Sequence, residues 1–162
     1  MSMDQIEKKV VLKAPRERVW RAVSEADSFG RWFGVDFDGP FVAGRKLSGR
    51  IVPTTVDAEV AKLQAPHAGT PFAFVVDAIE PMDRFAFRWH PFAIDPAVDY
   101  SLEAMTLVEF LLEDAEGGVL LTIRESGFER IPLARRAAAF AANDGGWTHQ
   151  TRLVAKYLAL PA

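Results

Sequence analysis

Two carboxylates stand where the surrounding residues predict a side chain that points into the protein. Val119, Leu121 and Ile123 alternate along a predicted strand, and Glu125 continues this alternation on the apolar face. Asp144 lies on the apolar stripe of a predicted C-terminal helix. Two inward carboxylates near one substrate could act as general acid and general base, so both are candidate catalytic residues.

Each carboxylate also has a structural explanation, and the sequence leaves it open. Glu125 could form an ion pair at the end of its strand with an arginine such as Arg136. Gly145 and Gly146 could shift the register of the helix and turn Asp144 outward. The sequence therefore does not decide whether the chain is an enzyme.

Other catalytic and metal-binding patterns are missing from the sequence. It has no phosphate-binding loop and no nucleophile elbow, and His67, His90 and His149 are far apart with no cysteine to accompany them. His90 shares its predicted strand face with Arg88, so we expect it at a rim or in solvent. We predict no metal and no cofactor.

The composition restricts the classes of function. A chain of 162 residues suits one domain, and the formal net charge of −3 argues against a nucleic-acid partner. The longest apolar runs fall short of the roughly 20 residues that a membrane-spanning helix needs. No apolar signal region opens the sequence. The expectation is a cytoplasmic protein with a single domain over residues 1–162.

The segment from Pro132 to Pro161 predicts the helix around which the fold is organised. Its inward stripe is expected to contain Leu133, Ala137, Phe140, Asp144, Trp147, Thr151, Val154 and Leu158. A polar group buried without a partner costs about 1–3 kcal/mol. Because the stripe includes two polar residues, we expect the helix to roof a cavity of roughly 300 Å³ or more, which a tryptophan at position 137 would plug.

The remaining sequence predicts an antiparallel sheet that bends around this helix. A first strand ending at Leu12 precedes two short helices, one from Pro15 to about Glu25 and one over Ser28–Trp32. Six strands then follow, interrupted by the proline-marked segments Pro53–Pro71 and Pro91–Glu103. The predicted fold class is α+β, with a curved antiparallel sheet of about seven strands wrapped around a long C-terminal helix.

Aromatic residues dominate the predicted inner face. Phe85, Phe87 and Trp89 share one face of their strand, which either lines a pocket or packs as ordinary core. The candidate ligand-binding residues are Phe33, Phe37, Phe74, Phe87, Trp89, Phe110, Ala137, Phe140, Asp144, Trp147 and Thr151.

Several short motifs, in order along the chain, resemble those of a known superfamily. They are Ala14-Pro15-Arg16-Glu17-Arg18-Val19-Trp20, Arg31-Trp32-Phe33, Ile79-Glu80-Pro81, Phe87-Arg88-Trp89, Glu125-Ser126-Gly127-Phe128 and Gly145-Gly146-Trp147. With them the chain resembles the START-like, helix-grip proteins (the birch-pollen-allergen or SRPBCC superfamily). The branch it resembles is that of the C-terminal domain of the activator of the heat-shock-protein-90 ATPase, also met as polyketide-cyclase-like proteins. The resemblance implies the helix-grip fold and an apolar cavity between sheet and helix.

Three functions are compatible with this sequence. The first is a cytoplasmic protein that binds a small apolar or aromatic molecule in the predicted cavity. The second is a cyclase or hydrolase that uses Glu125 and Asp144. The third, implied by the resemblance alone, is an activator of the heat-shock-protein-90 ATPase or another protein-interaction module.

Overall fold

A computed structural model describes residues 4–93 and 95–161. The strands are β1 (Gln5–Leu12), β2 (Val35–Phe37), β3 (Lys46–Ile51), β4 (Pro71–Glu80), β5 (Arg84–Trp89), β6 (Thr106–Ala115) and β7 (Gly118–Ser126). The helices are α1 (Arg16–Ser24), α2 (Ala26–Phe33), α3 (Ala58–Gln64) and α4 (Leu133–Ala159), with short 3-10 turns at Ala65–His67 and Phe128–Arg130.

The seven strands form one antiparallel sheet in the order β1-β7-β6-β5-β4-β3-β2. The register shifts between Val76 and Ala78 on β4, and a bulge of this kind bends a strand. The predicted α+β helix-grip architecture is therefore confirmed. The segment Pro53–Pro71 adds a third short helix, whose first turn Asp57 caps through a hydrogen bond from the Val60 amide.

The buried face of α4 differs from the predicted stripe over the first half of the helix. Leu133 is 78% exposed, and Ala137 is also exposed. Ala139 and Asn143 are directed inward there. Of the predicted stripe, Phe140 packs against the core and Trp147, Val154 and Leu158 are buried, while the Thr151 hydroxyl bonds to a carbonyl of its own helix. The apolar type of Leu133 and Ala137 misled the prediction, because a four-three pattern can be started at either of two neighbouring positions.

The core between the sheet and the helices is filled mainly by phenylalanine. The ring of Phe29 on α2 is central, with its centroid 4.8–6.4 Å from those of eight other aromatic rings. Those rings belong to Trp32, Phe33, Phe37, Phe41, Phe74, Phe85, Phe87 and Phe110. Much of the volume that was expected to be a cavity is thus packed with side chains.

Candidate functional site

Glu125 on β7 is the centre of a buried hydrogen-bond cluster. Its side chain has no exposed surface. Oε2 accepts hydrogen bonds from Trp89 Nε1 at 2.8 Å and from Thr106 Oγ1 at 2.6 Å. Oε1 accepts one from Trp147 Nε1 at 2.8 Å, and Asn143 Nδ2 donates to both oxygens at 2.9 and 3.0 Å. Indole and amide N–H groups only donate, which is the arrangement that a deprotonated carboxylate needs.

The sheet register and one helix face bring these donors together. Trp89 pairs with Thr106 across β5 and β6, and Val108 pairs with Glu125 across β6 and β7. Asn143 and Trp147 are four residues apart on α4, so they lie on one side of the helix, one turn apart. The cluster therefore joins three neighbouring strands to the middle of the long helix.

A small opening adjoins the cluster, between the sheet and α4. Phe33, Trp89, Asn143, Gly146, Trp147 and Gln150 line this opening, which has a volume of about 80 Å³ and is called here the aromatic slot. The ring centroids of Phe33, Trp89 and Trp147 are 5.7–6.3 Å apart. Three lining residues, Trp89, Asn143 and Trp147, also donate to Glu125, so the slot lies one side chain away from the buried carboxylate.

Phe33, at the end of α2, is held in place by hydrogen bonds to its backbone carbonyl. The Phe33 carbonyl accepts hydrogen bonds from Gln64 Nε2 of α3 at 3.0 Å and from Gln150 Nε2 of α4 at 3.2 Å. Gly34 ends α2 with a φ of 99°, and a Cβ at this position would lie 2.6 Å from the Gln64 amide. A residue larger than glycine would thus disturb the contact that fixes Phe33.

Gln150 has an unsatisfied acceptor beside the slot. Its Nε2 donates to the Phe33 carbonyl, which identifies the other amide atom as the oxygen. Oε1 is buried and accepts no hydrogen bond from the described residues. A buried acceptor without a donor is unusual, and a ligand that carries a donor could satisfy it.

The structure corrects the predicted pairing of Glu125 with Asp144. Asp144 lies outside the cluster, 47% exposed, with Oδ1 at 2.9 Å from Lys8 Nζ on β1. The helix runs without a break through Gly145 and Gly146, so the outward position follows from the rotated face of α4. The suggested Glu125–Arg136 ion pair is also wrong, because Arg136 donates to the carbonyls of Glu129 and Ile131.

The other predicted binding residues divide into three groups. Phe33, Trp89 and Trp147 line the slot. Phe74, Phe87 and Phe110 are fully buried in the ring cluster of the core. The rest lie outside the slot. Phe37 is at the edge of the ring cluster and borders surface depressions, and Phe140 packs on Phe128 with 5.2 Å between ring centroids. Thr151 donates to the Thr148 carbonyl, and Ala137 is exposed. A tryptophan at position 137 would therefore extend into solvent and plug nothing.

The size of the opening also differs from the prediction. The slot has about 80 Å³, against the few hundred Å³ expected. Larger hollows, of about 260 and 550 Å³, are open depressions beside α1 and α2. The inward polar residues of α4 are accommodated mainly by direct hydrogen bonds to Glu125 and to the Phe33 carbonyl, so they required no large hydrated space.

Thr106, Asn143, Gly146 and Gln150 were not among the predicted site residues. Asn143 and Gln150 lie four residues before and three residues after Trp147, which are the spacings of one helix face. Once Trp147 is taken as inward, both could have been found. Thr106 could not, because it reaches Glu125 only through the pairing of β6 with β7.

The remaining sequence candidates show no sign of a second centre. His90 follows β5 in a partly buried position, where burial lowers the pKa of its imidazole and Nδ1 has no hydrogen-bond partner among the described residues. Within residues 4–93 and 95–161, no group of three His, Cys, Asp or Glu side chains is placed to hold a metal ion. The same residues include no helix that is long and apolar enough to cross a membrane.

One family model matches almost the whole sequence. The family is described as activator of Hsp90 ATPase homolog 1-like protein, and its model covers residues 13–159. No significant match was found among curated proteins.

Solved structures support the same fold. A protein from Arthrobacter aurescens is 16% identical with a TM-score of 0.74, over 100% of this chain and 91% of that one. The Aha1 dimer from Colwellia psychrerythraea is 17% identical with a TM-score of 0.66, over 95% of each chain. DynU16, from the dynemicin biosynthetic locus, is 24% identical with a TM-score of 0.66 over 96% of this chain, which spans only 47% of DynU16. At these identities the likeness concerns the fold alone.

Proposed function

The chain belongs to the family of activator of Hsp90 ATPase homolog 1-like proteins, and on that premise we propose that it binds a small apolar or aromatic molecule in the aromatic slot. The observation that carries the proposal is an opening lined by Phe33, Trp89 and Trp147 between the sheet and α4. Small-molecule sites are typically apolar openings with a few placed polar groups. Here those groups are the amides of Asn143 and Gln150.

The dimensions of the slot favour a ligand, or a ligand end group, about the size of one small ring. A volume of about 80 Å³ is well below that of the pockets that enclose drug-sized ligands. Aromatic walls offer such a group large contact areas at little cost in side-chain entropy. A hydroxyl or N–H group on the ligand would donate to the unsatisfied Oε1 of Gln150 after a small rotation of this amide toward the slot, because the atom is buried in the structure.

The alternative functions have less support. Glu125 and Asp144 do not form an acid–base pair, because Asp144 lies at the surface in an ion pair with Lys8. Glu125 is enclosed by four donors, so it holds the slot walls rather than meeting a substrate. Activation of a chaperone ATPase stays a prediction, as does the cytoplasmic location.

Phenol is a suitable probe, because it combines one ring with one donor. In a ¹H–¹⁵N spectrum we expect phenol to shift the indole signals of Trp89 and Trp147, and to leave those of Trp20 and Trp32, which do not line the slot. Toluene has the same ring without the donor and should bind several-fold more weakly, because it leaves the Gln150 oxygen unsatisfied.

Gly145 and Gly146 provide a matched pair of variants. Both are exposed on α4, and a Cβ at either position meets no atom within 4 Å, but only Gly146 lines the slot. We expect Gly146→Leu to abolish the phenol shifts, because its side chain covers the opening, and Gly145→Leu to preserve them. Equal phenol binding by both variants, or shifts spread over all four indoles, would refute the site.

A further inference from the structure

The aromatic slot has a second property: the carboxylate behind its walls has only neutral hydrogen-bond partners among the described residues. Among residues 4–93 and 95–161, no Lys, Arg or His forms an ion pair with Glu125. All four of its hydrogen-bond donors are neutral: Trp89, Thr106, Asn143 and Trp147. Buried charges in proteins are usually paired with an opposite charge, and the described residues provide none for Glu125.

The aromatic walls of the slot are suited to bind a cation. Aromatic faces attract cations within about 6 Å of the ring centroid, and tryptophan does so most strongly. Two of the three aromatic walls are tryptophans, and the indole N–H of each donates to the carboxylate. A hydrogen bond from indole to an anion increases the electron density of the ring, which strengthens its attraction for a cation.

The uncharged neighbours of the slot are compatible with the same ligand. The slot residues Phe33, Trp89, Asn143, Gly146, Trp147 and Gln150 include no cationic side chain that would repel it. The buried Oε1 of Gln150 is an acceptor, which a cation also favours. The slot volume of about 80 Å³ matches a compact head group rather than a long hydrocarbon.

We infer that the ligand of the aromatic slot carries an organic cation, an alkylated ammonium group, which packs on Trp89, Trp147 and Phe33 and is attracted by the charge of Glu125. This inference rests on the proposed function, since it names the chemical class of the ligand for the same slot. The methyl groups of such a cation are apolar at their surface, so they suit aromatic walls, while the positive charge balances the buried carboxylate.

Choline and 3,3-dimethylbutan-1-ol test the inference, because they have nearly the same shape and differ in charge. The measurement is titration of the Trp89 and Trp147 indole signals at constant ionic strength. We expect choline to bind at least about tenfold more tightly, a difference of about 1.4 kcal/mol.

Charged variants of the two helix glycines test the electrostatic part without disturbing the buried cluster. Compared with the neutral variant Gly146→Gln, Gly146→Glu should tighten choline binding and Gly146→Lys should weaken it, each by roughly threefold or more, because the new charge lies at the mouth of the slot. These polar side chains extend into water, whereas the apolar side chain of Gly146→Leu packs over the aromatic opening. The same pair at Gly145 should change choline binding less than the pair at Gly146, because Gly145 does not line the slot. The neutral alcohol should respond alike to Glu and Lys at position 146.

The outcomes separate the two proposals. Equal affinity for choline and the alcohol, with phenol still bound, overturns the cation inference and leaves the slot as a neutral site. Choline affinity that is the same in Gly146→Glu and Gly146→Lys also overturns it. If phenol, choline and the alcohol all leave the two indole signals unmoved, both proposals fail.

Discussion

Glu125 shows how a buried carboxylate can be accommodated without a cationic partner. A carboxylate has about four lone-pair positions, and here they receive hydrogen bonds from two indoles, one hydroxyl and one amide. Hydrogen bonds to a charged group contribute about 1.5–3 kcal/mol each, and they offset the loss of hydration. The first role of Glu125 is therefore structural: it links β5, β6, β7 and α4.

Glu125→Gln tests this role, because it keeps the shape of the side chain and removes the charge. The new amide N–H₂ would face the indole N–H of Trp89 or of Trp147, which can only donate, so we expect the free energy of unfolding to fall by about 3–5 kcal/mol. Urea denaturation followed by tryptophan fluorescence measures the change.

Thr106 provides the comparison within the same cluster. Thr106→Val removes one of the four donors and should cost only about 1–2 kcal/mol, while Thr106→Ser should cost less. A Glu125→Gln protein as stable as Thr106→Ser would show that the cluster contributes little to folding.

At the residue scale, the sequence predicted the inward carboxylate but not its partners. Strict alternation from Val119 to Ile123 was enough to place Glu125 on the buried face. The donors come from residues 18–36 positions away, brought together by strand pairing and helix docking. A local sequence pattern gives no information on such contacts. For this reason the partner suggested for Glu125 was an arginine close to it in the sequence.

A charged contact joins α3 to α4. Asp57 caps α3 and accepts a hydrogen bond from Lys156 Nζ on α4. That hydrogen bond is the main cause that lowers the pKa of Asp57 from 3.8 to about 2. Since the folded-state pKa lies below the ordinary value, the contact stabilises the protein above about pH 4 and this stabilisation is lost as the pH falls through 2.

Asp57→Asn tests the charge while retaining a good capping residue. We expect faster hydrogen exchange of the α3 amides than in the parent protein at neutral pH, and a difference that disappears as the pH falls through about 2. Lys62→Met removes an exposed charge from the same helix and serves as the control. A difference between Asp57→Asn and the parent that is the same at all pH values would argue against the ion pair.

The helices also show where sequence patterns mislead. The bounds of α1, α2 and α4 agree with prediction to within about two residues, because prolines and glycines mark their ends. Leu133 and Ala137 were wrongly assigned to the inward face of α4. Alanine is common both inside proteins and on exposed helix surfaces, so its type does not decide the face. Asn143 was overlooked for the opposite reason: polar residues are usually exposed.

For the molecule as a whole, the phenylalanine core decides how large a ligand space can be. Phe29→Ala should lower the free energy of unfolding by about 3–5 kcal/mol, because it removes the ring at the centre of the aromatic cluster. Phe29→Leu keeps most of the volume and should cost clearly less. Thermal denaturation of the three proteins measures the difference.

Benzene binding adds a second measurement to the Phe29 series. A space lined by aromatic rings stays dry and accepts an apolar guest, so Phe29→Ala should be stabilised by benzene and the parent core should not. If Phe29→Ala is as stable as the parent, the core was not tightly packed around this ring.

The fold was predictable as a whole because its signals are redundant. Alternating strands, two short helices and one long helix point to the same α+β architecture, and short motifs resemble a known superfamily. The volume of the cavity was not predictable, because it depends on how far the rings from α2, β4, β5 and β6 interdigitate. The residue pattern of a single strand or helix therefore does not predict the cavity volume.

The shared carbonyl of Phe33 has a consequence for the speed of ligand exchange. Because side chains of α3 and α4 both hold this carbonyl, the backbone around the slot has little freedom to open. Admission of a group wider than the slot then requires an indole ring to rotate away from Glu125, which breaks a hydrogen bond to a charged acceptor. If the slot binds its ligand as proposed, we expect wide ligands to associate more slowly than the diffusion-limited encounter and the same rotation to set the residence time.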